Sequence, residues 1–234
     1  SRWNPATDWL LPSRYEPSTL SGKQYCREAL IGGLGLGAAP RGPVFGMVTR
    51  VVEEKGFGIL MPVLDRLLTD DVRLIVLGEG DSGFETGLAV AARKYPAKFV
   101  YQRHYDEKLA HVIEAGMDIS LIPSRFEPSG LSAMYSLKYG ALPVARATGG
   151  IQEIIQDYDP TLDRGYGFLC FDHSSEAFWD SIKRARELYR DPVRWETLIK
   201  RAMERDFSWE ESAAKYEQLY SQLVGPAADS EAAA

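Results

Sequence analysis

The sequence contains few residues of the types that bind metals. Among its 234 residues there are two cysteines and three histidines. Cys26 and Cys170 lie far apart and the histidines form no zinc pattern, so we expect inert thiols and no metal site. The chain also lacks a basic tail or stripe, and its net charge is −6. This charge argues against a general nucleic-acid binder.

The sequence also lacks a recognisable signal peptide and any apolar run long enough to cross a membrane. These absences predict a cytoplasmic protein without a membrane partner. Because 45% of the residues are hydrophobic, the chain can bury one large core. We expect one domain over 1–225, with a lead-in segment 1–42, an α/β core 43–172 and helices 173–225. A disordered tail is expected over 226–234.

From Pro43 onwards, short apolar runs alternate with longer segments of helical periodicity. Strands separated by helices of this length predict right-handed crossovers and a parallel sheet covered on both faces. The fold class is therefore a Rossmann-like, doubly wound α/β domain with a C-terminal helical extension. The predicted strands cover 44–48, 72–77, 98–101, 119–122, 142–145 and 167–171, and the last helices cover 176–189, 193–205 and 209–223.

A glycine motif over 78–83 has the spacing of the G-x-G-x-x-G dinucleotide fingerprint. It follows the second predicted strand, whereas the fingerprint follows the first. The third strand ends in Gln102 and Arg103, where the fingerprint expects an acid for the ribose hydroxyls. The motif therefore indicates a tight turn between a strand and a helix, and not a nicotinamide or flavin site.

The stretch from Asp118 to Gly150 reads as two successive strand–loop–helix units. Its first loop, 123–128, carries Arg125 and Glu127 between two prolines. Loops at the carboxyl ends of parallel strands are where ligands bind. A carboxylate in that loop, followed by the N–H groups of a helix start, suits a ligand with hydroxyls and negative charge.

The usual strand order for this fold, 3-2-1-4-5-6, places the first and fourth strands side by side at the point where the order reverses. The loop that carries Arg50 and Lys55 then faces the loop that carries Glu127. Two cations beside this crevice could neutralise a diphosphate without a metal ion. The pattern therefore favours a ligand that carries a diphosphate.

Two further expectations concern packing. Residues 1–20 contain proline, tryptophan and turn formers, which predicts irregular chain held down by Trp3 and Trp9. The helix after the loop at 123–128 is expected to present an inner face that begins with Leu131.

Six short motifs can be compared with known families. They are Thr49-Arg50 with Lys55-Gly56, Gly78-Glu79-Gly80-Asp81, Pro123 to Leu131 (PSRFEPSGL), Tyr139-Gly140, Thr148-Gly149-Gly150 and Asp206 to Trp209 (DFSW). Together they resemble the motifs of bacterial glycogen synthases and plant starch synthases, over residues 3–223. The resemblance implies the C-terminal half of a GT-B glycosyltransferase, a fold with two Rossmann-like domains around a cleft. It also implies transfer of glucose from ADP-glucose (or UDP-glucose) to the non-reducing end of an α-1,4-glucan, with retention of configuration.

The resemblance assigns roles to matching residues. Arg50 and Lys55 match the pair that binds the diphosphate and supports its departure, and Glu127 matches the acid that holds the glucose hydroxyls. Tyr105 matches an aromatic residue near the adenine. The remaining matches are loop and helix-start residues beside the sugar and phosphates, namely Ser129, Gly130, Leu131, Thr148 and Gly149.

The resemblance also implies partners. These are a nucleotide sugar, an α-glucan acceptor and an N-terminal domain that the chain lacks, so the chain alone is expected to bind ADP or ADP-glucose without elongating glucans. No cofactor is implied, and the location would be the cytoplasm, or the plastid in a plant. Ser129 departs from the family pattern, which usually has cysteine there.

Two alternatives remain. Another retaining GT-B enzyme, such as a sucrose synthase or a trehalose-forming enzyme, usually carries a second Glu where this chain has Tyr135. A non-catalytic nucleotide-binding module is disfavoured by intact Arg50, Lys55 and Glu127.

Overall fold

A computed structural model describes residues 2–37 and 42–224, which form two compact units that meet in sequence between Glu204 and Arg205. The first unit is an α/β domain built on a six-stranded parallel sheet, and the second contains helix α9. The strands are β1 Val44–Val48, β2 Arg73–Leu77, β3 Phe99–Gln102, β4 Ile119–Ile122, β5 Leu142–Arg146 and β6 Phe168–Cys170. The helices are α1 Ser21–Gly33, α2 Phe57–Thr69, α3 Ser82–Lys94, α4 Glu107–Gly116, α5 Leu131–Lys138, α6 Ile151–Ile154, α7 Ser175–Tyr189, α8 Pro192–Met203 and α9 Trp209–Val224.

The strand order is β3-β2-β1-β4-β5-β6, so the prediction of a doubly wound sheet is confirmed. The order reverses between β1 and β4, which are hydrogen-bonded neighbours with Phe45 opposite Ile119. Because each crossover is right-handed, this reversal puts α2 and α3 on one face and α4 on the other. The reversal also leaves a crevice between the loops that follow β1 and β4.

The strands are short and apolar because helices cover both faces of the sheet. All five residues of β2 and all four of β4 are buried. One part of the core joins α1 and α4 to the sheet, and β1 contributes Val44 while β2 contributes Ile75 and Leu77. Cys26 and Cys170 are both buried and free, as the sequence predicts.

The glycine motif forms the tight turn that was predicted. A Cβ atom at Gly78 would lie 1.8 Å from the carbonyl oxygen of Thr49, and one at Gly80 would lie 2.2 Å from that of Val51. The glycines therefore allow the loop after β2 to contact the loop after β1. Helix α3 begins at Ser82, directly after this contact.

Two packing expectations are wrong in part. Trp3 does hold the lead-in segment, since its ring stacks on His111 with the centroids 3.7 Å apart, but Trp9 is 76% exposed. Leu131 is 52% exposed, because the inner face of α5 is formed by Ala133, Ser136 and Leu137 instead. Leu131 is the first residue of α5, a position where helical periodicity does not predict burial.

Helix α9 lies in the second unit, and its exposed large side chains include Trp209, Tyr216, Tyr220 and Leu223. The predicted tail 226–234 lies outside the described residues. Within the described ranges, none of the helices is long and apolar enough to span a membrane.

Candidate functional site

An ion pair joins the loops that follow β1 and β4. Lys55 ends a short 3-10 turn, Glu53–Lys55, and its Nζ lies 2.6 Å from Oε2 of Glu127 in the loop after β4. These residues are 72 positions apart in the chain. The sheet brings them together because β1 and β4 are adjacent and parallel, so that both loops leave at the same edge.

The loop that carries Glu127 is held by backbone contacts on three sides. The N–H of Arg125 donates to the carbonyl of Glu54 at 2.9 Å, and the N–H of Gly150 donates to the carbonyl of Glu127 at 3.0 Å. Arg146, at the end of β5, donates to the carbonyls of Ser124, at 2.9 Å, and Arg125. The backbone of this loop is therefore held by residues of three neighbouring segments.

The Glu127 carboxylate is buried, with the residue 6% exposed. Its Oε2 accepts from Lys55 and also from the hydroxyl of Ser124 at 3.2 Å. In the described part of the chain, Oε1 forms no hydrogen bond, since both bonds of the carboxylate are made by Oε2. One carboxylate oxygen is thus occupied, and the other remains able to accept from a ligand hydroxyl.

The two candidate cations differ in their surroundings. The Lys55 side chain is 22% exposed and is bound to Glu127. Arg50 is exposed and, within the described ranges, forms no ion pair or side-chain hydrogen bond. Both residues follow β1; Lys55 lines the crevice with a carboxylate partner, and Arg50 has no such partner among the described residues.

Helix α5 begins beside this pair, with Gly130 as its N-cap and Leu131 as its first residue. The N–H groups of a first helical turn have no partner within the helix and attract anions. Ser132 lines the same narrow crevice as Lys55 and Glu127. The arrangement combines cations, free helix N–H groups and one open carboxylate oxygen.

The other predicted residues lie around this centre. Thr148 and Gly149 lie in the loop after β5, where a Cβ atom at Gly149 would be 2.3 Å from the carbonyl oxygen of Glu127. Ser129 is exposed, and Tyr105, in the loop after β3, is 59% exposed.

Three residues of the site were not predicted. Ser124 and Arg146 support the Glu127 loop, and their positions at the ends of β4 and β5 could have indicated this. Glu114 also lines the crevice, from α4. Burial raises the pKa of Glu114 to about 8, although the Ser136 hydroxyl, 3.0 Å away, opposes the shift. In the sequence, Glu114 could have been recognised as an acidic residue on the apolar face of a predicted helix.

Within 2–37 and 42–224, no group of three or more His, Cys, Asp or Glu side chains could hold a metal ion. Neutralisation of an anion at this edge would come from Arg50, Lys55 and the start of α5.

Comparison with known proteins adds to this geometry. Residues 36–202 match the family described as Glycosyl transferases group 1. The glycogen synthase of Anaeromyxobacter dehalogenans is 44% identical over 222 residues, which are 95% of this chain and 46% of that protein. Glycogen synthase 1 of Methylococcus capsulatus is 44% identical over 225 residues, with the same coverage of 95% and 46%. The chain spans about half the length of these relatives.

Solved structures agree with the sequence comparison. The catalytic domain of starch synthase IV from Arabidopsis thaliana, bound to ADP and acarbose, has a TM-score of 0.86 and 33% identity, and the match covers 95% of this chain and 47% of that one. A sucrose-phosphate synthase from Thermosynechococcus elongatus has a TM-score of 0.60 and 21% identity, covering 84% of this chain and 48% of that one. The second likeness concerns the fold alone.

Proposed function

Because the chain belongs to the group 1 glycosyl transferases, we propose that it is the donor-binding half of a retaining glucosyltransferase of the glycogen synthase type. The proposed reaction moves glucose from ADP-glucose to the non-reducing end of an α-1,4-glucan. The observation that carries the proposal is the contact between Lys55 and Glu127, 2.6 Å long, at the point where the strand order reverses.

The cationic side of the crevice binds the diphosphate in this proposal. Breaking the bond between the sugar and the phosphate places negative charge on the departing ADP. Arg50, Lys55 and the N–H groups at the start of α5 stabilise that charge, as preorganised donors do in other transfer reactions. Binding therefore requires no added metal. The ADP in the starch synthase IV structure supports ADP over UDP.

The anionic side of the crevice holds the sugar. Oε1 of Glu127 accepts from glucose hydroxyls, while Ser124 keeps the carboxylate oriented through Oε2. Glu127 is a positioning group in this account and forms no covalent bond to the sugar. Retention then follows from attack on the same face that the diphosphate leaves.

The acceptor lies outside the 234 residues of this chain in our proposal. All candidate residues lie on the donor side, and the curated relatives are about twice as long as this chain. Exclusion of water and alignment of two reactants can supply roughly 7–11 kcal/mol of the barrier reduction. We therefore expect the chain alone to bind ADP-glucose but not to elongate glucans, and we place the complete enzyme in the cytoplasm, or in the plastid of a plant.

Isothermal titration calorimetry of the chain with ADP, UDP and ADP-glucose, in the presence of a chelator, tests the proposal. We expect ADP to bind and Lys55→Ala to weaken its binding roughly ten- to a hundred-fold, the effect of losing a charge-assisted contact. Lys200→Ala is the matched control, because Lys200 lies on α8, has a side chain that is 43% exposed and pairs with Glu196. Failure of the unmodified chain to bind either nucleotide would contradict the proposal.

A further inference from the structure

The Lys55–Glu127 pair joins two groups that the proposed function assigns to different parts of the ligand. Lys55 is assigned to the diphosphate and Glu127 to the sugar, yet the two side chains bind each other at 2.6 Å. The carboxylate is mostly buried, so it depends on this partner. An incompletely compensated charge in such a place is costly.

A diphosphate that binds at Lys55 changes the environment of Glu127. The ammonium group turns some of its donors to the phosphates, and the carboxylate then lies beside additional negative charge. Hydroxyl groups of a hexose would supply the missing donors, since Oε1 is open to them. The hydroxyl of Ser124 keeps Oε2 in place throughout.

We propose, on the basis of the function proposed above, that Lys55 exchanges its partner when the donor binds. The ammonium group leaves Glu127 for the diphosphate, and the sugar hydroxyls replace it on the carboxylate. The site consequently distinguishes a nucleotide that carries a hexose from one that does not. After transfer, the empty sugar position returns Glu127 to Lys55, and this competition favours release of ADP.

The loop geometry supports an exchange in which only the lysine moves. The backbone around Glu127 is anchored by Gly150 and Arg146, whereas Lys55 is long, flexible and 22% exposed at its side chain. Lysine is a compact charge with three donors on a flexible stem. Arg50, which has no partner among the described residues, needs no such exchange.

The first test is the affinity of the chain for ADP in a double-mutant cycle. Glu127→Gln frees Lys55 from its carboxylate, so we expect ADP to bind about ten-fold more tightly. In a Lys55→Met background the same Glu127→Gln change should alter ADP affinity less than two-fold. Equal effects in both backgrounds would overturn the exchange, because they would reflect only the removal of a nearby negative charge.

Glu54→Gln is the matched control, since Glu54 is an exposed carboxylate in the same loop as Lys55. It should leave ADP affinity within two-fold of the unmodified chain. Thermal unfolding of each variant checks that it is folded.

The second test measures the effect of free glucose on ADP binding. ADP affinity is compared in a glucose solution and in mannitol at the same concentration. We expect glucose to tighten ADP binding several-fold in the unmodified chain but not in Glu127→Gln. Normal ADP binding that is unaffected by glucose would overturn the exchange while leaving the proposed function intact. If the unmodified chain does not bind ADP at all, both the exchange and the proposed function are wrong.

Discussion

The two edges of the sheet use charged residues in opposite ways. At the amino edge, Lys23 donates to the carbonyls of Ala115, Met117 and Tyr139 at 3.0–3.1 Å. At the carboxyl edge, Lys55 has Glu127 as its partner and Arg50 has none among the described residues. A cation whose donors are all used by the protein stabilises the fold, whereas a cation with unused donors is available to a ligand.

Asp118, also at the amino edge, likewise has its partners within the protein. Its Oδ2 accepts from Arg27 at 2.9 Å, from the N–H of Val44 at 2.8 Å and from Tyr189 at 3.3 Å. A groove of about 690 Å³ lies here, and Lys23, Arg27 and Asp118 line it. The size of a groove therefore does not identify the site in this protein, because these charged groups already have partners within the protein.

The largest effect on stability should come from removing Asp118, a charge partner at the amino edge. Asp118→Ala leaves the buried guanidinium of Arg27 without its carboxylate, and we expect a loss of about 3–5 kcal/mol in the free energy of unfolding. Urea unfolding followed by circular dichroism measures this. Asp180→Ala removes an exposed i,i+3 pair with Lys183 and should cost less than about 1 kcal/mol. ADP affinity of the folded fraction should not change in either variant.

Glu114 should make stability depend on pH. Its pKa in the folded protein is about 8, above that of an unfolded glutamate, so the folded state keeps a proton that the unfolded state releases. The unmodified chain should therefore lose stability, on the order of 2–4 kcal/mol, as pH rises from about 4.5 to 8. Glu114→Gln should remove most of this slope.

Urea unfolding at several pH values measures the effect of Glu114. Glu153→Gln, at an exposed position on α6, is the control and should keep the slope of the unmodified chain. The lowered pKa of Lys23, also about 8 because of burial, acts in the other direction only above pH 8. Parallel slopes in Glu114→Gln and the unmodified chain would show that Glu114 is ionised in the folded state.

A smaller effect is expected at Gly149. Its φ of +49° and the 2.3 Å approach of a Cβ atom to the carbonyl of Glu127 make Gly149→Ala strained. We expect a loss of roughly 1–3 kcal/mol in stability and weaker ADP-glucose binding, because the Glu127 loop must shift. Gly32→Ala, in helix α1 with open space around it, should instead stabilise the chain by up to about 1 kcal/mol.

Replacement of Arg50 should have the smallest effect on stability, but it should still weaken ADP binding. Arg50→Ala should change the free energy of unfolding by less than about 0.5 kcal/mol. ADP affinity should fall about ten-fold, because a charge-assisted contact to phosphate is lost. Arg194→Ala, at an exposed position on α8, should change neither quantity. A marked loss of stability in Arg50→Ala would weaken the contrast between the two edges.

The sequence alone determined the alternation of strands and helices and the edge at which the site lies. Both follow from local information: apolar runs of strand length, helical periodicity and the rule that loops at the carboxyl ends of strands bind ligands. It also identified Arg50, Lys55 and Glu127 as candidates, from their places in the loops at the reversal of strand order and from the family resemblance. These candidate roles stay predictions until binding is measured.

Only the tertiary structure decided which of these groups contact one another. The distance between Lys55 and Glu127 depends on the register of β1 against β4 and on loops held by Arg146 and Gly150. None of this is encoded in local periodicity. The exposure of Trp9 and the burial of Glu114 were likewise decided by tertiary packing, because burial depends on what lies opposite a side chain and not on the side chain itself.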